Sequence, residues 1–522
     1  MNFSASTQSR VRAFLACGAA GPGSKRARRR GKPGLCLLAA ALALGASVDG
    51  ELAAQTAPPA FVATELVGRP TATSITVNAI FDQTVEVAFD YGTSAEALTE
   101  TTQAIYPGGY VEAVLRALEP DSEYFYRLRY RAEGGDWTSR PVHRFVTQKA
   151  PGSAFVFDVQ SDSHQGFAAF HDAALYGVAM ENMRADAPDF VVDLGDTFSL
   201  DDPVETADTV AAKYLAQRDY LGLFAHSSPV FLVLGNHENE EGWNLDDFGP
   251  AGRASSLPVL GANARKTYFL NPLPDGDVYT GNLDASTTEI LDDHLKEDYY
   301  AFAWGDALFV VLDPFWYTLE KPYVGAQGGE RNDETLLGDR WSWTLGKQQY
   351  DWLAATLRAN ERPFVFVFAH HLAGGTVNYS RGGKAGARFG EWGGYDPDGV
   401  TYRFDERRPG WDKPVHDLFE ETGVSIFFHG HDHVYAMEQH GSVVYQEVPH
   451  AANANPGLAG GFGSNAVDYA GAVLRDNSGY LRVRVTAEEA RVQYVRSLPP
   501  GSEGNGRIDH EYVVLPPVSV PP

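Results

Sequence analysis

Residues 155–164 read Phe155-Val156-Phe157-Asp158-Val159-Gln160-Ser161-Asp162-Ser163-His164, a short apolar run that leads to a carboxylate and an imidazole. The same texture returns four times downstream. Phe190-Val191-Val192 leads to Gly195-Asp196, and Val230-Phe231-Leu232-Val233-Leu234 leads to Gly235-Asn236-His237-Glu238. Phe364-Val365-Phe366-Val367-Phe368 leads to His370-His371, and Val424-Ser425-Ile426-Phe427-Phe428 leads to His429-Gly430-His431-Asp432-His433. Short apolar runs of this kind read as strands. Helical stretches alternate with them at Ala168 to Ala185, Thr206 to Phe224, Lys347 to Ala359 and Lys413 to Thr422. Alternating strands and helices predict an α/β layer fold. Ligands of open α/β sheets bind outside the carboxyl ends of the strands. Five loops are therefore expected to converge on one rim. Further strands are expected within Tyr299 to Asp313, at Val443-Val444-Tyr445 and within Tyr480 to Val495.

The residues on those loops suit a metal site. Asp, His and Asn offer carboxylate and amide oxygen and imidazole nitrogen, a donor set for Zn, Fe or Mn. Two ions can share the site if one carboxylate bridges them. Gly195, Gly235 and Gly430 give the backbone room for close approach. An Asp-x-His or a Gly-Asp alone means little. All five pieces, in order and each after an apolar strand, make a specific pattern.

Upstream the texture differs. Val85, Val87, Phe89 and Tyr91 alternate with Thr84, Glu86, Ala88 and Asp90, and Tyr124, Tyr126, Leu128 and Tyr130 alternate with Phe125, Arg127 and Arg129. Period two predicts half-buried strands. Between them lies Leu118-Glu119-Pro120-Asp121-Ser122-Glu123-Tyr124, which resembles the tyrosine corner of fibronectin type III domains. The expected organisation is a leader over 1–54, an all-β, fibronectin type III-like sandwich over 58–149 and a catalytic domain over 150–516.

In the leader, Lys25 to Lys32 is a basic cluster, Leu35 to Val48 is a short apolar run, and Leu52-Ala53-Ala54 offers small residues for cleavage. That order predicts a secretory signal peptide and an exported protein, with a membrane anchor as the alternative. Both cysteines, Cys17 and Cys36, fall inside it, so the mature chain would carry neither thiol nor disulfide. No other run is long and apolar enough for stable membrane insertion. Removing the leader takes the formal charge from −26 to −32. So acidic a chain argues against nucleic acid as the main partner, because phosphate backbones need a basic footprint.

The five blocks together resemble the calcineurin-like metallophosphoesterase superfamily, whose pattern is Asp-x-His, Gly-Asp, Gly-Asn-His-[Asp/Glu], His and Gly-His-x-His. That resemblance implies a four-layer α/β fold, a β-sandwich flanked by helices, with two metal ions at the strand ends. It implies that Asp162, His164, Asp196 and His433 hold one ion, and that Asp196, Asn236, His370 and His431 hold the other. His370 rather than His371 matches the family position. A fibronectin-like domain ahead of such a catalytic domain resembles purple acid phosphatases. Those enzymes carry a metal-binding Tyr three residues after the Gly-Asp aspartate and lack the His of Asp-x-His. Here Ser199 stands at that position and His164 is present, so a purple, ferric-tyrosinate centre is not expected.

The resemblance implies a phosphate-ester substrate and two divalent or trivalent ions. With Asn236 as the ligand, His237 is expected to stabilise the transition state or protonate the leaving oxygen, oriented by Glu238 or another carboxylate. Gly374 to Gly394 is Gly-rich and contains Arg381, Lys384 and Arg388. It is either a basic loop over the site or a solvated one, and His371, Arg381 and Arg388 are its candidate substrate contacts. Trp392 and Tyr395 either line the pocket or pack the loop down. Phosphomonoester hydrolysis is the leading expectation, a phosphodiesterase the enzymatic alternative, and a non-catalytic binding protein the alternative of another class.

Overall fold

Tyr124 presents its hydroxyl to the backbone N–H of Glu119 at 2.9 Å, which closes the tyrosine corner expected from the sequence. We describe a computed structural model of the chain, covering residues 57–516 apart from 168, 201–204, 247–251, 285–288, 291–294, 320–339, 374–381 and 454–467. The leader, with Cys17 and Cys36, lies outside the described residues, as does Arg381.

The corner sits in an all-β sandwich of seven strands: β1 (Phe61–Gly68), β2 (Ser74–Phe81), β3 (Val85–Gly92), β4 (Glu100–Tyr106), β5 (Tyr110–Arg116), β6 (Glu123–Arg131) and β7 (Thr138–Val146). One sheet has the order β1-β2-β5 and the other β4-β3-β6-β7. Val77, Phe89, Leu115, Tyr126, Leu128 and Phe145 meet between them. Strand β3 departs from the half-buried expectation, because its polar face is covered too. Arg127 and Arg129 both bond Asp90, and Arg131 bonds Glu86, so the arginines of β6 lie over those carboxylates.

The five apolar runs fall in β8 (Phe155–Gln160), β9 (Phe190–Asp193), β10 (Val230–Leu232), β14 (Phe364–Phe368) and β15 (Ile426–His429). The remaining strands are β11 (Thr280–Gly281), β12 (Tyr300–Trp304), β13 (Ala307–Val311), β16 (Tyr435–His440), β17 (Val443–Glu447), β18 (Val473–Arg475), β19 (Gly479–Val485), β20 (Ala490–Arg496) and β21 (Ile508–Val514). They form two mixed sheets, β10-β9-β8-β19-β20-β21 and β11-β12-β13-β14-β15-β17-β16-β18. The sheets face each other across a largely aromatic core. Phe157 lies 5.1 Å from Phe309 and 5.4 Å from Phe366, and Phe368 stacks on Phe428 at 5.0 Å. Helices cover both outer faces. Ala173–Asp186 and Ala207–Ala225 pack on the first sheet, and Lys347–Arg358 and Val415–Thr422 on the second.

The first of these helices begins later than its apolar pattern suggests. The Asp172 carboxylate accepts from Ala174 N and Leu175 N and caps it there. A further helix, Leu257–Tyr268, was not anticipated, because Gly261 and Asn263 break the local propensity. Pro258 fits its first turn, where no N–H is needed.

Candidate metal centre

The chain leaves β8, β9 and β10 on one sheet, and β14 and β15 on the other, at the same rim. Asp162 N bonds Gly195 O at 3.0 Å, His164 N bonds Asp196 O at 2.9 Å, and Gly430 N bonds His370 O at 2.8 Å. Backbone bonds between loops therefore set the site before any side chain is considered. A Cβ on Gly235 would stand 2.3 Å from Asp196 N, and one on Gly430 would stand 2.0 Å from Ser161 Oγ. Only glycine lets these loops come so close.

Five of the residues that meet there hold left-handed backbone: Asp162 (φ 56°), His164 (φ 44°), Asp196 (φ 51°), His431 (φ 77°) and His433 (φ 58°). Such conformations are uncommon outside glycine, and each costs on the order of 1–3 kcal/mol. Their clustering at one rim is the pattern of a functional site.

The side chains form two overlapping groups. Asp162, His164, Asp196 and His433 each bring one donor atom within 4.8 Å of the others, and Asp196, His370 and His431 do the same. Asp196 belongs to both. Asn236 Oδ1 joins the second group, 2.8 Å from His431 Nδ1. The shortest separations are those of neighbouring ligands. His164 Nε2 lies 2.8 Å from His433 Nε2, His433 Nε2 lies 3.2 Å from Asp162 Oδ1, and His370 Nε2 lies 3.1 Å from Asp196 Oδ2. Donors bonded to one ion at about 2.1 Å and at a right angle stand about 3 Å apart. His370 Nδ1 faces Leu194 O at 2.9 Å, which places its proton there and leaves the Nε2 lone pair for the centre. Donor chemistry and spacing thus fit two ions sharing one carboxylate.

The carboxylates and imidazoles of the cluster shift one another's protonation. Burial pushes the Asp196 carboxyl up, but His370, His237 and His164 pull it well below the usual range. Burial holds the His164 imidazole down at about 3. His370 is opposed by burial, yet Asp196 and Asp162 raise it to about 9, so Nε2 carries a proton that a bound cation would displace.

His237 and Glu238 part company. His237 is half-buried at the rim, with its side chain 28% exposed, Nδ1 3.2 Å from Ser199 Oγ and Nε2 3.9 Å from Asp196 Oδ2. Glu238, expected to orient it, is buried and does something else. Its carboxylate accepts from Gly235 N at 2.7 Å, Asp196 N at 3.0 Å, Thr197 N at 2.8 Å and Thr197 Oγ1 at 2.9 Å. These four donors use both oxygens, so Glu238 ties the Gly-Asp loop to the Gly-Asn-His loop and leaves the imidazole to Ser199.

Among the described candidate substrate contacts, His371 stands behind the centre, its ring 5.2 Å from that of His431, and Arg388 is bonded within its own part of the chain. His371 is buried edge-on against Phe315 and Trp343, with Nδ1 on Leu372 O. Arg388 bonds Gly399 O and lies over the Tyr395 ring. Its guanidinium is committed to its own loop. Trp392 is fully buried among Phe419 and Phe427, so it packs the loop down.

One imidazole at the rim was missed from the sequence. His450 follows β17 and is fully buried, its ring 4.8 Å from that of His433 and 5.5 Å from that of His164. The signal was present, since a sixth apolar strand also ends in a His. It differs from His370 in tautomer. Ala452 N donates to His450 Nδ1 at 3.0 Å, so the ring's own proton sits on Nε2. A nitrogen carrying a proton has no lone pair for an ion, and His450 is therefore a neighbour of the ligands rather than one of them.

The calcineurin-like phosphoesterase family model matches residues 155–435. In structure the chain is similar to purple acid phosphatase PPD1 from yellow lupin (Lupinus luteus) seeds, with TM-score 0.55, 14% identity, and 86% of this chain and 74% of that chain covered. It is likewise similar to PhoD, with TM-score 0.54, 15% identity, and 87% and 88% covered. At these identities the likeness concerns the fold. No curated protein matches the chain. The matched span exceeds half of the sequence and contains all five strand-end loops, and the chain belongs to the calcineurin-like phosphoesterase family, hydrolases of phosphate esters.

Proposed function

We propose that the protein is an exported phosphomonoesterase with a dinuclear metal centre. Asp162, His164, Asp196 and His433 would hold one ion, and Asp196, Asn236, His370 and His431 the other. Bound there, Fe, Mn or Zn ions supply Lewis acidity to a phosphoryl oxygen and lower the pKa of water. The remaining work falls to the chain. Glu238 keeps the bridging aspartate's loop in register through four hydrogen bonds. His237 Nε2 holds the proton that passes to the leaving oxygen, while Ser199 steadies Nδ1. With Ser199 where purple acid phosphatases carry Tyr, the holoprotein is expected to lack their colour.

The observation that carries this reading is the pair of donor groups sharing Asp196, with half-buried His237 beside them. Export rests on the order of the 1–54 segment. Among the described residues no helix is long and apolar enough to cross a membrane. The test is metal analysis of the purified protein combined with a panel of phosphomonoesters and phosphodiesters. Two transition ions per chain and preferential monoester hydrolysis are expected. Metal-free, inactive protein would refute the reading, and preferential diester cleavage would correct the substrate.

A further inference from the structure

We infer that the substrate's leaving alcohol is aromatic and lies in a cleft between residues 165–167, Phe198-Ser199 and the helix Ala207–Ala225. This inference rests on the phosphomonoesterase reading above. The cleft has a volume of about 550 Å³, within the range of small-molecule sites.

Two connections join it to the metal centre. Gln165 is the residue after His164 and pairs with Phe198 in a short parallel bridge, so the cleft wall continues two of the ligand loops. Ser199 lines the cleft and puts Oγ 3.2 Å from His237 Nδ1. A leaving oxygen must lie within hydrogen-bond reach of the group that protonates it. Ser199 is the wall that the cleft shares with the imidazole, so a leaving group whose oxygen takes its proton from His237 reaches the cleft past Ser199.

The lining selects the chemistry. Phe167, Phe198, Ala212 and Ala216 make the cleft apolar. Phe167 is 42% exposed and stacks on Phe170 at 5.1 Å with the planes 4° apart, so Phe170 backs one face. Phe170 in turn meets His433 edge-on at 5.8 Å. A row of rings therefore runs from a metal ligand to the cleft, ending in a surface on which a planar ring can stack. The one cation in the lining, Lys213, bonds the Ser199 carbonyl and the Glu205 carboxylate. Its charge is balanced within the protein, so a second anionic group on the substrate finds no unpaired cation among the described lining residues. An aromatic alcohol fits these walls better than a polyol or an acid.

The test uses the metal-loaded protein with benzyl, cyclohexylmethyl and ethyl phosphates, whose alkoxide leaving groups are of similar basicity. Benzyl phosphate is expected to exceed ethyl phosphate in kcat/KM by about tenfold or more, the scale on which apolar pockets discriminate. Phe167→Ala, which removes the stacking face, and Ala212→Trp, which fills the cleft, should both collapse that ratio toward one. Benzylphosphonate should bind more tightly than ethylphosphonate in calorimetry. Equal turnover of benzyl and ethyl phosphates, or a ratio that survives both substitutions, would overturn the inference. Cyclohexylmethyl phosphate turned over as well as benzyl phosphate would overturn its aromatic part. Failure to hydrolyse all three would count against the phosphomonoesterase reading instead, and the phosphonate comparison would still decide the cleft.

Discussion

Neighbouring residues in Gly235-Asn236-His237-Glu238 point to different tasks, and substitution should separate them. His237 is half-buried and touches Ser199, whereas the donor groups that would hold ions close without it. Replacing His237 with Ala is expected to lower kcat by about 10²–10⁴-fold, the usual worth of general acid help, while both ions stay bound. Metal loss in that variant, read by elemental analysis, would make His237 a ligand instead. Glu238→Gln should behave in the opposite way. Four N–H or O–H donors converge on the carboxylate, and a carboxamide must turn its NH₂ toward some of them. The Asp196 loop should then lose its register, and the protein should be isolated with less metal. Full occupancy would show that the loop holds without the carboxylate.

At the scale of elements, the helix Leu257–Tyr268 supports the rim from behind. Arg265 donates from Nε and Nη2 to the two oxygens of Glu240, at 2.8 Å each, and also to Lys296 O and Glu297 O. Both partners are 1% exposed. Glu240 lies just beyond the Gly-Asn-His-Glu loop, so this pair fixes a helix to a ligand loop. A buried pair adds little when intact, but losing one partner strands the other charge at a cost of about 3–5 kcal/mol. Glu240→Ala is therefore expected to lower stability by that amount in denaturant unfolding. A loss below about 1 kcal/mol would mean that water reaches Arg265.

Across the whole molecule, the all-β sandwich is keyed into the layered region. Buried Arg218 donates to Asn78 Oδ1, to Thr64 O and to the Tyr268 carbonyl, and Tyr126 bonds His226 O. At the same seam His143 stacks on His226 at 3.9 Å. Burial lowers His143 to about 4, helped by His226, and burial lowers His226 as well. Glu65 raises both and Arg140 lowers both, and neither reverses the direction. The unfolded chain therefore takes up protons that the folded seam refuses. This contribution is fully present above the ordinary histidine pKa of about 6.5. It is lost progressively as pH falls from there to about 4. The variant His143→Phe should show a shallower fall in unfolding free energy over that window. An unchanged slope would place the acid sensitivity elsewhere.

What the sequence by itself determined is local or strictly periodic. Apolar runs of three to five residues marked all five rim strands, because a strand between two layers has no solvated face to encode. Gly235 and Gly430 announced close approach, because no other residue leaves that space. The turn before Tyr124 carried its own corner, since donor and acceptor lie within one short segment. The helix Leu257–Tyr268 stayed hidden because it is held by burial on nearly all sides, with no solvated face to give it a period, rather than by propensity. What only the tertiary structure decided is where shared groups are spent. A carboxylate next to His237 in sequence orients loop amides, since three of its donors belong to Asp196 and Thr197 across the rim. Arg388 reads as a phosphate ligand by charge, yet folds onto Gly399 and Tyr395. His450 reads like another ligand by type, until the N–H of Ala452 sets its tautomer. Residue type limits what a side chain can bond, and the fold chooses which partner is within reach.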